Sequence, residues 1–370
     1  MSYFILPKIN STITLLPILE TEPNKDLSIH LSHSLFNHYN LLHRKIISTC
    51  VSDLNIFCKC PDMSCNSYDS LVRSVNPYEY IFSKVPGSKF SVSKLKPQSA
   101  MFYDFLEVSA TLNVFDSYKT DSIKTLHITP NHRDTAECFE MFRENYSDDI
   151  SIYDEINDET TFSIGDERFD FIFLETKMKI SDTYIASCLE SILVLLRNQQ
   201  SGGNCIIKVS HIFYKPIADM LFLLSSLYEK VYILKPNCSN ITTFEKYIVC
   251  KNFQINEQKN KTYKLNYFRL STALKKKPSQ KIVSILENDF PYYFTMKLND
   301  INMIIGQQQL ESLTIILNLL KNKNKEEKGE LIKKNNIQKA VIWCEKYKIP
   351  CNKFTEKINM FLPIYKEQVF

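Results

Sequence analysis

Glycine is scarce in this chain. Six occur in 370 residues, and none lies between Gly87 and Gly165. A residue so sparingly used marks places where the backbone needs its freedom. Two of the six stand side by side in SGGNCIIKVSHIF, residues 201–213, just before an apolar run that carries one lysine, Lys208. The pair reads as the turn that ends a helix and feeds a central strand.

Long apolar runs are also lacking. The N-terminal stretch MSYFILPKINSTITLLPILE is broken by Pro7, Lys8, Asn10 and Pro17, short of the roughly 18 apolar residues a membrane span needs. The expectation is a soluble, cytoplasmic chain with no membrane partner. Charge of one sign is not in excess either: 45 basic against 41 acidic residues leave a net charge of +4. That excludes a globally basic nucleic-acid binder and makes any basic surface a local one. The eleven cysteines are an odd number and several sit in apolar runs such as YIVCKNF, which suits reduced, buried thiols rather than a disulfide framework. Cys50, Cys58, Cys60 and Cys65, with His43 nearby, lack the paired two-residue spacing of metal knuckles: the gaps are seven, one and four. Loop and core cysteines are the simpler reading, zinc the alternative.

What the chain does have is a large apolar content, 44% hydrophobic and 12% aromatic, enough for a sizeable core. From residue 123 short β-like runs alternate with amphipathic helices: IKTLHIT, a helix over 134–145, ISIYD, FDFIFLE, a helix over 182–199, NCIIKVS, a helix over 216–228, KVYILKP and KYIVCKNF. Such alternation predicts an α/β fold with a doubly wound, mostly parallel sheet. The last two runs are too close for an intervening helix, so they should form an antiparallel pair at an edge. The chain divides into an α-rich N-terminal extension (1–85), an α/β domain (86–260) and a C-terminal helical extension (261–370). The run KNKNKEEKGELIKKNN, 321–336, reads as a solvated linker or helix face.

Ligands of open parallel sheets bind beyond the carboxyl ends of the strands. There FDFIFL ends in Glu175, CIIKV carries Lys208 and Glu245 opens KYIVC, while Lys94 and Lys96 stand where a helix begins in SKLKPQSAMFYDF. Two lysines among carboxylates could accept a proton from a hydroxyl, or could be ordinary ion pairs at loop ends.

The stretch DFIFLE through SGGNCIIKVSHIF to LYEKVYILKPNCSNITTFEKYIVCKNF (170–253), preceded by VNPYEYIFSKVPGSKFSVSKLKPQSAMFYDF, resembles the FtsJ-like (RrmJ-type) 2′-O-methyltransferases, above all those that modify mRNA caps. The matches span residues 76–253, and the helical tail is similar to that of homologues from large cytoplasmic DNA viruses. The resemblance implies a Rossmann-like methyltransferase fold, S-adenosylmethionine as methyl donor and no metal. It also implies an RNA substrate, possibly capped mRNA, and a Lys-Asp-Lys-Glu tetrad acting on a ribose 2′-hydroxyl. Carried over, the first lysine falls on Lys96 (Lys94 matching less well), the second on Lys208 and the glutamate on Glu245; the aspartate position holds Glu175, one methylene longer. The cofactor loop falls on Thr129, Pro130, Asn131 and His132, where the family has an Ala-Pro-Gly-Gly type of turn, and Asp154 or Glu155 would meet the cofactor ribose. Asn131 suits such a turn because asparagine visits left-handed conformations, whereas an imidazole at 132 would fill the cofactor space or displace the loop. Thr176 stands for a glycine, and Ser239–Asn240 for the family's Ser-Arg. Two readings stay open: a working methyltransferase, or a catalytically silent relative serving as an RNA-binding or scaffolding subunit of a capping or transcription complex.

Three further groups have alternatives. His30, His33, His38 and His43 fall on a helical pattern and read as surface or capping residues. Phe90, Phe102 and Tyr103 suit core packing or base stacking. Lys275–Lys277 with Lys261 and Lys264 suits a solvated turn or a phosphate patch.

Overall fold

The computed structural model describes residues 3–20, 27–57, 66–119, 122–177, 181–254, 257–276, 281–287, 289–321, 325–352 and 354. In chain order the first elements are β1 (Tyr3–Ile5), β2 (Ile18–Leu19), α1 (His33–Phe57), α2 (Asn66–Val75) and α3 (Met101–Thr111). The alternating region follows: β3 (Lys124–Ile128), α4 (His132–Phe142), β4 (Asp149–Tyr153), α5 (Asp158–Ile164), β5 (Phe169–Glu175), α6 (Ser181–Asn198), β6 (Gln199–Val209) and α7 (Lys215–Leu227). Then come β7 (Tyr228–Leu234), β8 (Lys246–Phe253), α8 (Glu257–Lys276), β9 (Ile282–Ser284), α9 (Tyr292–Lys321) and α10 (Lys325–Lys346).

Seven strands form one sheet in the order β1-β7-β8-β6-β5-β3-β4. Strands β4, β3, β5 and β6 are parallel neighbours, and β8 runs antiparallel to both β6 and β7. This is the expected doubly wound, mostly parallel sheet, with helical segments before and after it. The antiparallel pair β7–β8 also forms, but not at an edge: β8 inserts between β6 and β7, and β1 closes the outer side of β7. Nothing in the broken apolar N-terminal run marked those three residues as a strand; the exposed edge of β7 supplies their hydrogen bonds.

Strand alternation sorts the core onto two faces. Leu126, Ile128, Ile172, Leu174, Cys205 and Ile207 pack with α6 and α7. Phe171, Phe173, Ile206, Tyr247 and Val249 pack on the other face, with α3, α4 and α10. A satellite cluster joins α1, α2 and α9 through Leu42, Ile46, Val72, Leu313 and Ile316. The C-terminal extension is tied back at Asp219, a fully buried carboxylate on α7. It accepts from the Ser284 hydroxyl at 2.6 Å and the Ile285 N–H at 2.9 Å, and pairs with Lys215 at 2.6 Å.

The glycine pair is not the turn that ends α6. That helix stops at Asn198, and β6 begins at once with an irregularity: Phe169 pairs with Gln199, but Phe171 pairs with Asn204. Extra residues on one strand make a bulge, and both glycines are needed in it. Gly202 has φ +81°, while a Cβ on Gly203 would lie 2.6 Å from the Asp170 carbonyl oxygen and 2.9 Å from that of Gln200. The bulge shifts the pairing so that Lys208 comes opposite Glu175.

Gly203→Ala should therefore cost about 1–3 kcal/mol through overpacking against backbone that cannot withdraw, and Gly202→Ala about 1–2 kcal/mol through its left-handed φ alone. Denaturant unfolding measures both; a Gly203→Ala midpoint equal to that of the parent chain would refute the bulge as a steric requirement.

Candidate active site

Register builds the centre of the site. Glu175, at the end of β5, pairs with Lys208 on β6, and Lys208 pairs with Tyr247 on β8. Paired residues share a face, here the α3/α4 face. Glu245 precedes β8 by one residue and lies two before Tyr247, so it falls on the same side. The Lys208 Nζ stands 2.8 Å from Glu175 Oε1 and 3.8 Å from Glu245 Oε1, with side-chain exposures of 14%, 15% and 17%. Glu175 Oε2 accepts from the Thr129 hydroxyl at the end of β3. The longer Glu side chain thus reaches both Lys208 and Thr129. Burial works to lower the Lys208 pKa, but Glu245, Glu175 and the Glu175 hydrogen bond outweigh it and leave it raised. The ammonium form holds through the neutral range.

Behind this cluster lies a carboxyl group that the sequence reading missed. Asp104 on α3 is buried, accepts from the Tyr247 hydroxyl at 3.0 Å, and has its other oxygen unpartnered. Burial foremost pushes its pKa up to about 7; Lys208 and the Tyr247 hydrogen bond oppose this, while Glu245 and Glu107 add to it. Glu107, one helical turn on and also buried, accepts from the Asn237 side chain at 2.7 Å and the Cys238 N–H at 3.1 Å. It fixes the loop after β7, where Asn240 caps a turn by accepting from the Thr242 N–H at 2.9 Å. The available signal was two acids three apart in the otherwise apolar helix MFYDFLEVSA. Lys246 is likewise buried and Lys235 half-buried, and desolvation lowers them to about 7 and about 8.

The loop expected to border the cofactor makes its turn without glycine. Asn131 has φ −103°, so the left-handed conformation anticipated for it is not used. The Thr129 side chain takes over: its hydroxyl accepts from the Asn131 N–H at 3.1 Å, and its carbonyl accepts from the His132 N–H at 3.1 Å. Thr129 is buried and Pro130 exposed. The His132 imidazole pairs with Asp154, just after β4, with Nδ1 3.0 Å from Oδ1. Asp154 remains 77% exposed, and a pair so open is worth at most about 1 kcal/mol. Micromolar ligand binding is worth about 8 kcal/mol, so the pair is no barrier. The donor set fits S-adenosylmethionine: Asp154 offers a carboxylate for a ribose diol, and the partly exposed Asn131 and His132 offer donors for a carboxylate end. Glu155, the alternative to Asp154, pairs with Lys177 at 2.7 Å.

Lys96 is not among the ion-pair partners of this centre in the described residues. It is exposed, as is Lys94, and forms no ion pair with Glu175 or Glu245 among the described residues. The segment that carries it is anchored instead through Asp134 of α4, which accepts from the Gln98 N–H at 2.8 Å and from the Ser99 hydroxyl.

The other candidates divide. Cys50 is buried, while Cys58, Cys60 and Cys65 lie outside the described residues. Among the described residues no group of three or more potential ligands could hold a metal ion, and no helix is long and apolar enough to cross a membrane. His30 precedes α1 and does not belong to it; its N–H bonds the Phe213 carbonyl at 2.9 Å. His43 stacks on Tyr39. Phe102 and Tyr103 are core, but Phe90 is 59% exposed. Lys261 and Lys275 are exposed on α8; Lys277 lies outside the described residues.

No family model matches the chain. It is 28% identical over 139 residues to the cap-specific mRNA (nucleoside-2′-O-)-methyltransferase of Autographa californica nuclear polyhedrosis virus, across 38% of this chain and 39% of that enzyme. The chain resembles a viral cap methyltransferase. It is also 25% identical over 230 residues to an uncharacterized protein of Acanthamoeba polyphaga mimivirus, across 60% of this chain. It spans 58% of the length of the mimivirus protein and 39% of the baculovirus enzyme. Among solved structures, a ribosomal RNA methyltransferase from Plasmodium falciparum aligns over 42% of this chain and 98% of its own, at 17% identity and a TM-score of 0.34. That superposition is too loose to transfer any residue's role.

The raised pKa of Asp104 has a consequence for stability. Between about pH 4, where an unfolded aspartate titrates, and about pH 7, the folded state binds the proton more tightly. Stability from this group is complete below pH 4 and is lost as the pH rises through 7, on the order of 2–4 kcal/mol in all. Asp104→Asn should flatten that limb in denaturant unfolding across pH 4.5–7.5; a variant profile parallel to the parent's would show that Asp104 titrates normally.

Proposed function

We propose that this protein is an RNA 2′-O-methyltransferase that works on a ribose 2′-hydroxyl, with mRNA cap structures as the favoured substrate and Lys208, Glu175 and Glu245 as its catalytic residues. The observation that carries the reading is the Lys208 ammonium held between two carboxylates at the carboxyl edge of a mostly parallel sheet. S-adenosylmethionine, bordered by Thr129, Pro130, Asn131, His132 and Asp154, supplies an electrophilic methyl group and a sulfonium charge that opposes the ammonium form of Lys208. Glu175, locked by Thr129, aims Nζ; Glu245, at the longer distance, leaves room for a hydroxyl beside it. Nζ, once it has released one proton to water, orients the 2′-hydroxyl and takes its proton as the oxygen becomes nucleophilic. Lys96 and the lysines near it are positioned to meet the RNA. The likeness to the baculovirus cap enzyme supports the RNA substrate, and the viral relatives suit work in a host cytoplasm beside other capping or transcription subunits.

Calorimetric titration with S-adenosylmethionine, followed by methyl transfer to a short capped RNA, tests the reading. Binding and transfer are expected, with Lys208→Ala lowering the rate on the order of 10²–10⁴-fold in a variant that still folds. Absence of cofactor binding at millimolar concentration, with RNA binding retained, would favour the silent scaffolding role instead. Transfer at the parent rate in Lys208→Ala would remove Lys208 from the mechanism.

A further inference from the structure

A second concave surface lies apart from the Lys208 centre. It is a cleft of about 500 Å³ whose walls include Lys84, Lys89, Lys94, Lys96, Phe82 and Phe90, and include neither Lys208 nor its carboxylates. No acidic residue lines it, and none of the four lysines forms an ion pair among the described residues. The whole chain carries an excess of only four positive charges, so four uncompensated ammonium groups around one cleft are a local concentration. Phe82 and Phe90 are 40% and 59% exposed beside them. Free phosphate would use the lysines and leave the rings idle. Cations that track a backbone, alternating with rings that stack on bases, are the chemistry of single-strand recognition.

The cleft is also preformed. The chain between Lys84 and Lys89 is a tight turn, with the Val85 N–H donating to the Phe90 carbonyl at 3.0 Å and Gly87 at φ +82°. The strip beyond it is clamped by the C-terminal extension. Ser93 bridges Cys351, the Lys94 N–H donates to the Pro350 carbonyl at 2.8 Å, and the Asn352 N–H donates to the Val92 carbonyl at 2.7 Å. The Asn352 side chain adds a bond to the Ser91 carbonyl at 3.0 Å and itself lines the cleft. Ile349 and Trp343 anchor this strap in the core, Trp343 edge-on to Tyr103. A groove held open before its ligand arrives loses less on ordering.

We propose that this cleft is a docking groove for single-stranded RNA, with phosphates on Lys84, Lys89 and Lys94 and an unstacked base against Phe90, and that residues 349–352 of the C-terminal extension hold it in shape. The proposal rests on the reading of the chain as an RNA-directed protein, but binding here requires neither the cofactor nor Lys208.

Fluorescence anisotropy of the full chain with a labelled 12-nucleotide single-stranded RNA, read at several salt concentrations, tests it. Lys84 and Lys89 are exposed, so the double variant Lys84→Ala/Lys89→Ala should fold as the parent does. It is expected to weaken binding about 10–100-fold at low salt and to reduce the salt slope by about 1.4, near 0.7 per lost phosphate contact. Phe90→Ala should weaken binding by at least about 5-fold. Unchanged affinity and slope in the lysine and phenylalanine variants would overturn the groove and leave the methyl-transfer reading standing. Loss of transfer in Lys208→Ala with these variants still weakened would uphold both. Displacement of the RNA by an equal concentration of an acidic phosphopeptide would overturn the assignment to RNA.

Discussion

An ammonium group largely withdrawn from water has to be met by carboxylates, and the geometry around Lys208 is organised by that requirement. One carboxylate alone would neutralise it in a closed pair. Here Glu175 takes the short contact and Glu245 the long one, so the charge is matched on two sides while the third direction of Nζ stays available. The arrangement depends on register: only because the Gly202–Gly203 bulge resets the pairing of β6 with β5 does Lys208 come opposite Glu175. A slip of one residue would turn Lys208 to the opposite face of the sheet.

The same centre draws charges from distant parts of the chain into low-dielectric surroundings. Asp104 comes from α3, Tyr247 from β8 and Lys235 from the end of β7, and each titrates away from its ordinary value. Burial is the first cause in all three, yet the three cases resolve differently. Asp104 titrates near pH 7, Tyr247 stays protonated, and Lys235, lowered to about 8 against the pull of Glu245 and Asp104, donates to the Thr243 carbonyl at 2.7 Å. Perturbed groups gathered at strand ends are a mark of functional sites, and their mutual dependence makes single removals costly beyond the lost contact.

Much of this was legible in the residues. Alternation of β-like runs and amphipathic helices gives the sheet, since hydrophobic period is a local property. Glu175, Lys208 and Glu245 could be placed together because each ends or opens a run and parallel strands align their ends. What was not legible depended on pairing across the chain. The N-terminal YFI segment becomes a strand only because β7 has a free edge, and β8 enters between β6 and β7 because an antiparallel return fits there. The glycine pair looked like a helix stop, yet it serves a bulge defined by β5. Asp104 and Glu107 stood in plain view as acids in an apolar helix, but what they meet, Tyr247 and the loop at Asn237, lies about 130 residues or more away. The loop expected to border the cofactor is a subtler case: the sequence pointed to a left-handed Asn131 in place of glycine, but the Thr129 hydroxyl supplies the turn and Asn131 keeps a negative φ.

Lys96 shows how a motif and a geometry can part. Sequence order sets it beside the Lys208 centre, and in the fold it lines a basic cleft with Lys84, Lys89 and Lys94. The two placements are linked, since Asp134 at the start of α4 holds the Gln98–Ser99 segment, and the same helix start carries His132 to Asp154. A shift of α4 would move the lysine strip and the cofactor loop together. The C-terminal strap, bonded to residues 91–94, opposes such a shift from the other side. The proposed RNA groove and the proposed cofactor loop are thus joined through one helix start, and the helical extension braces the lysine strip as well as covering the sheet.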